Sequence, residues 1–200
     1  KVMHAGHNAG RFVIEAKVTA QLPHPGVPPV HALGTLPDGR PFLAMKLVTG
    51  RTLSDEMKAA DRPRLLGIFE RICETVGFAH ANNISHRDLK PANVMVGGFG
   101  EVLVMDWGLA KELGGARKSD TDTDVEGGEP HADGTKAGVV KGTPAYMAPE
   151  QARGEEVDAR ADVFALGGLL VAILSGKPPF AGDSALEVVD RAARAELSEC

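Results

Sequence analysis

The run from Val163 to Leu174 holds no charged and no polar side chain over 12 residues, and it constrains the fold more than any other stretch. A bilayer crossing takes roughly 20 apolar residues, so this run is too short to span a membrane. A helix from Asp162 to Leu174 that is apolar nearly all round is the kind buried on every side, with Pro178-Pro179 stopping it. The remaining chain must therefore supply its cover. With 200 residues, 43 % hydrophobic and 24 % charged, the composition is ordinary for a globular chain. Collagen, coiled coil and disorder throughout are excluded.

Lys and Arg number 22 against 27 Asp and Glu, a formal net charge of −5 with His neutral, so nucleic acid is not an expected partner. Cys73 and Cys200 lie far apart and match no metal or disulfide spacing, which favours a reducing, cytoplasmic setting. The first residue is Lys1 rather than Met and no charged-then-apolar leader follows, so the chain is expected to be a piece of something longer. Any membrane anchor of a longer parent would lie outside it. No internal repeat is visible.

The opening third alternates helix and strand signals. Arg11 to Leu22 places Phe12, Ala16, Thr19 and Ala20 near one helical face, with Glu15 beside it and Pro23 ending the element. Val30 to Leu33 and Pro41 to Val48 are strand candidates joined by the turn Leu36-Pro37-Asp38-Gly39, and together they predict a hairpin. Asp61 can cap a longer helix with Pro63 in its first turn; Leu65, Leu66, Ile68, Phe69, Ile72, Val76 and Ala79 form its apolar stripe. Two short apolar runs, Val94 to Val96 and Val102 to Met105, flank a glycine-rich turn and read as facing strands. Lys111 to Val140 is poor in large apolar groups and contains Ser119-Asp120-Thr121-Asp122-Thr123-Asp124, which predicts a loop.

Between these elements stand His86-Arg87-Asp88-Leu89-Lys90-Pro91-Ala92-Asn93 and, 13 residues after Asn93, Asp106-Trp107-Gly108. Magnesium prefers a few hard oxygen ligands together with phosphate oxygens, which Asn93 and Asp106 can supply. Asp88 is then left to accept a hydroxyl proton, and Lys90 can neutralise charge on a moving phosphoryl group. Each residue alone is more often a turn former or cap. The constellation points to phosphoryl transfer.

At these residues the sequence resembles the eukaryotic-type serine/threonine protein kinases, and more closely the bacterial members with Trp in the metal-binding tripeptide. The resemblance rests on the catalytic loop at 86–93, Asp106-Trp107-Gly108, the segment Gly142-Thr143-Pro144-Ala145-Tyr146 and Ala148-Pro149-Glu150. Asp162 and Gly167 resemble the buried helix that supports the catalytic loop. The fold implied is α+β and bilobal: residues 1–48 a remnant of the small β-rich lobe with its helix and hinge strand, 49–200 a mainly α-helical lobe lacking its last helices.

The same resemblance implies ATP and Mg²⁺ as cofactors and Ser/Thr hydroxyls of proteins as acceptors. Asp88 becomes the base, Lys90 the γ-phosphate contact, and Asn93 and Asp106 the Mg²⁺ ligands. Glu15 matches the helix glutamate whose partner is the ATP lysine, for which Lys1 is the candidate. Met45, Lys46, Leu47 and Val48 match the hinge along the adenine, with Met45 the gatekeeper, and Thr143 is expected to hydrogen-bond towards Asp88 and Lys90. Lys90 and Gly142-Thr143 resemble the serine/threonine branch rather than the tyrosine branch. His86 takes a structural role beneath the metal-binding tripeptide. Arg87 marks kinases whose loop pairs with a phosphorylated activation segment. That segment, Asp106 to Glu150, is 45 residues long and offers Ser119, Thr121, Thr123 and Thr135 for autophosphorylation. A plain solvated loop is the alternative reading of its acidic tract.

His4, His7, His24 and His31 match no zinc spacing and are expected to be structural. No glycine-rich phosphate loop precedes Lys1, and Glu150 lacks the downstream arginine the family pairs with it. The alternative function is therefore a kinase-like binding or regulatory module without catalysis.

Overall fold

The computed structural model describes residues 9–112 and 144–198. The first helix, α1 (Ala9–Ala20), begins two residues earlier than the sequence pattern indicates and buries Phe12, Ala16, Val18 and Thr19. Thr19 spends its hydroxyl within the helix, donating to the Glu15 carbonyl at 2.7 Å. α1 packs through Phe12 and Ala16 on Leu43, with Val30 and Met45 at the edge of the contact. Those residues belong to an antiparallel hairpin of β1 (Val30–Thr35) and β2 (Pro41–Met45), in register Leu33↔Leu43 and Thr35↔Pro41. The expected turn closes it, with Gly39 at φ 84° and the Asp38 carboxylate accepting the Arg40 N–H at 3.1 Å. β2 stops at Met45 rather than Val48: the Lys46 N–H still reaches the opposing Pro29 carbonyl at 3.0 Å, but Pro29 has no N–H to carry the ladder further.

β3 (Arg51–Thr52), β5 (Val94–Val96) and β6 (Val102–Val104) make a second sheet in the order β3-β5-β6, and Thr52 caps the short α2 (Leu53–Glu56). α3 (Arg62–Ala81) starts as the sequence indicates: the Asp61 carboxylate accepts the Arg64 N–H at 3.0 Å and Pro63 occupies the first turn. Leu65, Ile68, Ile72, Val76 and Ala79 form its buried stripe. Leu66, expected in that stripe, is 39 % exposed; at about 100° per residue it falls past the edge that Leu65 defines. Gly26 lies so close to α3 that a Cβ there would collide with the Thr75 hydroxyl, and its carbonyl takes the Val104 N–H at 2.8 Å.

The apolar run forms α5 (Ala159–Ser175), whose Ala165, Leu169 and Ile173 enter the main core with Ile72, Val76, Val94, Val104 and Trp107. Two expectations are corrected here. The helix is not buried all round: Val163 is 59 % and Leu174 46 % exposed, because α3, β4 (Ile84–Ser85) and the turn Pro144–Tyr146 pack on its other side. It also ends at Gly176, in the left-handed region at φ 76°, before Pro178 is reached. α4 (Pro149–Ala152) and α6 (Ala185–Arg194) close a second cluster around Met147, Ala152, Phe180 and Ala192. The architecture is α+β, small sheets followed by a mainly helical C-terminal part. No helix among the described residues is long and apolar enough to cross a membrane.

Candidate active site

The loop at 86–93 leaves α3 through Asn83, which takes φ 58° beyond the helix end, and through β4, which pairs with β7 (Lys111–Glu112). Asp162, in the first turn of α5 and fully buried, holds the start of this loop. Its Oδ1 accepts the Arg87 N–H at 2.7 Å; its Oδ2 accepts the His86 N–H at 2.8 Å and the Ser85 hydroxyl at 2.9 Å. His80 Nε2, from the last turn of α3, lies 2.8 Å from the same Oδ2. Burial is the largest influence on this carboxyl and pushes its pKa up, but the hydrogen bonds from His80 and the Arg87 and His86 amides outweigh it and hold it below the ordinary 3.8. Asp162 is thus a buried anion satisfied on both oxygens.

Arg87 itself sits at φ 68°, a strained setting for a residue with a Cβ. Its main chain is held at both ends, because the Arg87 carbonyl accepts the Gln151 Nε2 at 2.9 Å. His86 is buried against the Trp107 ring, the centroids 4.6 Å apart. The Asp88 N–H donates to His86 Nδ1 at 3.2 Å, so the ring proton is on Nε2, which faces the Met105 carbonyl at 3.0 Å. Burial lowers the His86 pKa from its ordinary 6.5 despite the carboxylates nearby, keeping the ring neutral. Trp107, also buried, donates its indole N–H to the Val104 carbonyl at 3.1 Å.

On this frame the Asp88 carboxylate receives Lys90 Nζ at 2.8 Å and Asn93 Nδ2 at 3.2 Å on Oδ2, while Asn93 Nδ2 also donates to the Asp88 carbonyl at 2.8 Å. The Met105 N–H donates to the Asn93 carbonyl at 2.7 Å, which brings the chain just before Asp106 to the end of the loop. Asp106 takes φ 62° and ψ 67°, a left-handed setting that turns its exposed carboxylate out of the strand line. Three of the expected residues, Asp88, Lys90 and Asn93, are therefore joined directly, and Asp106 is tied to them through the Met105 amide.

The other expected residues are spread wider. Glu15 lies half-buried on α1, which packs against the turn Trp107–Leu109. Met45 ends β2, half-buried on the α1 side; Lys46 is exposed and Val48 half-buried. Lys1 and Thr143, with His4, His7 and the hydroxyls Ser119, Thr121, Thr123 and Thr135, fall outside the described residues. Glu150 lines an open cleft with Glu155, Glu156, Asp158, Arg160 and Phe164. Sequence reasoning missed His80, Ser85 and Gln151. Their partners are main-chain atoms or a carboxylate 64 to 82 positions away, which leaves no local pattern.

The family model described as protein kinase domain matches residues 2–198. The chain belongs to the protein kinase family. Within this family it is 41 % identical over 185 residues to the serine/threonine-protein kinase PknB of Mycolicibacterium smegmatis, covering 89 % of this chain and 27 % of that protein. It is 40 % identical over 195 residues to the DNA damage-responsive serine/threonine-protein kinase RqkA of Deinococcus radiodurans, covering 92 % of this chain and 26 % of RqkA. Against the serine/threonine-protein kinase PknD of Protochlamydia amoebophila the identity is 35 % over 186 residues, 85 % of this chain and 19 % of that protein. The chain thus spans about a quarter or less of the length of the curated relatives it matches.

Proposed function

We propose that the chain belongs to the catalytic domain of a serine/threonine protein kinase that transfers the γ-phosphoryl group of ATP to Ser or Thr hydroxyls of proteins. The observation that carries this reading is the Asp88 carboxylate, held at Oδ2 by Lys90 and Asn93 on a loop anchored to Asp162. In the reaction the substrate hydroxyl oxygen bonds to the γ-phosphorus, the bond to the bridging oxygen of ADP breaks, and the hydroxyl proton passes to Asp88. Lys90, 2.8 Å from Asp88, would bring positive charge to the transferring group as negative charge spreads over its oxygens. Because little covalent chemistry is asked of the protein, the rate comes from positioning and electrostatics.

Asn93 and Asp106 would hold Mg²⁺. Their donors fit: an amide oxygen and a carboxylate are hard ligands, and with Asn93 Nδ2 turned to Asp88 its Oδ1 would be the atom to offer a metal. Among the described residues no group of three or more His, Cys, Asp or Glu could hold a metal alone, so the ion would complete its shell with phosphate oxygens and water. Bound there, Mg²⁺ would neutralise phosphate charge. Met45, Lys46 and Val48 would border the adenine, Lys1 and Glu15 would pair near the phosphates, and Thr143 would brace the catalytic loop. The lobes would divide after residue 48, the activation segment would accept autophosphorylation, and the ATP requirement would put the site in the cytoplasm.

The test is transfer of label from γ-labelled ATP with Mg²⁺ to protein, followed by phosphoamino-acid analysis. Label on phosphoserine or phosphothreonine is expected. Binding of ATP without transfer would favour a regulatory module instead.

A further inference from the structure

We propose that Gln151 is a positioning residue that locks the strained Arg87 peptide and so couples the 144–152 segment to Asp88; its catalytic consequence rests on the reading of Asp88 as the phosphotransfer base. Gln151 is the third residue of α4, and its side chain has two partners. Its Oε1 accepts the N–H of Ala148, the residue that starts the helix, at 3.2 Å, and its Nε2 donates to the Arg87 carbonyl at 2.9 Å. Ala148 has no side-chain oxygen to accept the Gln151 backbone N–H in return, so only half of a capping box forms; the amide nitrogen has no part in that box and reaches across to the loop. One side chain therefore bridges two segments 64 residues apart.

The position of this bridge gives it leverage. Arg87 holds φ 68° only because its surroundings impose it, and the two groups that grip its main chain are Asp162 on the N–H and Gln151 on the carbonyl. Asp88 follows directly. Arg87, Asp88, Leu89, Tyr146, Met147 and Gln151 line one narrow cleft, so the arm that carries Tyr146 and Met147 and the loop that carries Asp88 meet at this amide. A rearrangement of the 144–152 segment that withdrew Gln151 would release one end of the strained peptide next to Asp88. Only the amide orientation observed satisfies both partners, since the Arg87 carbonyl can accept but not donate.

Gln151→Glu tests the bond itself. A carboxylate keeps the acceptor for Ala148 but turns an oxygen against the Arg87 carbonyl, whereas a protonated carboxyl donates there again. The titratable groups lining the cleft are Arg87, Asp88 and Tyr146, and Glu150 adjoins on the same helix. The experiment compares wild type, Gln151→Glu and Gln151→Ala in the full chain at about pH 7.5 and about pH 5. It reads amide exchange across residues 84–94, corrected for intrinsic rates, together with kcat and KM for ATP. We expect Gln151→Glu to exchange about tenfold faster than wild type at the higher pH and to fall to about fourfold at the lower, where a carboxyl whose pKa is raised by that penalty is partly protonated, with Gln151→Ala fast at both. The kcat ratio to wild type should follow the same partial recovery while KM for ATP holds. Exchange in both variants equal to wild type, or a Gln151→Glu defect that acid does not lessen, would overturn the proposal. An inactive wild-type chain whose Gln151→Glu variant shows the acid-relieved exchange defect would sink the phosphotransfer reading and support the bridge.

Discussion

The carboxylate of Asp162 accepts the Arg87 backbone N–H at 2.7 Å across 75 positions of sequence, tying the most apolar helix of the molecule to its most chemically loaded loop. The tie works because α5 is held by the main core, so the carboxylate at its first turn is a fixed point in a buried setting. From that point the loop runs through His86, Arg87 and Asp88 with every step hydrogen-bonded.

Replacing Asp162 by Ala removes the acceptor for the Ser85 hydroxyl, the His86 and Arg87 amides and His80 at once. Stranding buried donors in this way is expected to cost about 3–5 kcal/mol of unfolding free energy by chemical denaturation. Asp162→Asn keeps one oxygen and should lose less. A loss under about 1 kcal/mol for Asp162→Ala, the worth of one ordinary hydrogen bond, would mean that the carboxylate does not organise the loop.

Acid should weaken the fold in two steps. His86 is neutral when folded and its pKa is lowered by burial, so the unfolded chain binds the proton more readily; its contribution is full above the ordinary 6.5 and is lost as pH falls from there towards the folded value. Asp162 is likewise held below 3.8, so its contribution is full above that value and drains away beneath it. Measured stability against pH should show the upper step, and His86→Phe, although less stable throughout, should lack it. Parallel curves for wild type and His86→Phe would contradict the neutral, buried ring.

Trp107 is the single tryptophan of the chain, so its fluorescence reports the site directly. Buried, against His86 and bonded to the Val104 carbonyl, it should emit at short wavelength in the native state and shift red on unfolding. Trp107→Ala should cost about 3–5 kcal/mol through the cavity it leaves. Trp107→Phe keeps most of the volume, loses the indole N–H and should cost distinctly less in the same denaturation series. An exposed-type emission maximum from the native protein would count against this packing.

Two glycines should respond to alanine in opposite directions. Gly67 lies exposed within α3 with open space where a Cβ would go, so Gly67→Ala should stabilise by about 0.5–1 kcal/mol through helix propensity. Gly26→Ala drives a methyl into the Thr75 hydroxyl, a buried group already donating to the Arg71 carbonyl at 2.8 Å, and should destabilise by about 1–3 kcal/mol. Thermal unfolding of the pair checks the sign of each; the same sign for both would be inconsistent with the packing of α3.

Where structure follows from neighbours in sequence, it was legible. Asp61 and Pro63 announce α3, the Leu36–Gly39 turn announces the first hairpin, and the two apolar runs around the glycine-rich turn announce the β5–β6 pair. Local periodicity did not reveal which side of α5 the other elements occupy, so Val163 and Leu174 read as core although both are open. Gly176 ended that helix ahead of the more conspicuous Pro178, because one left-handed residue suffices. Gln151, Ser85 and His80 were invisible for a different reason. Gln151 bonds a peptide carbonyl, which places no demand on the identity of residue 87, while Ser85 and His80 bond the Asp162 carboxylate 77 and 82 positions away, beyond the reach of any local pattern.

The most direct measurement of the central claim compares wild type with Asp88→Asn in transfer of γ-phosphate from Mg²⁺-ATP to protein Ser or Thr, at matched nucleotide affinity and stability. Asn retains the shape and can still accept from Lys90, but it cannot take the hydroxyl proton. The account predicts a fall in kcat of about 10²–10⁴-fold with KM for ATP unchanged. Equal kcat in the two proteins would contradict it.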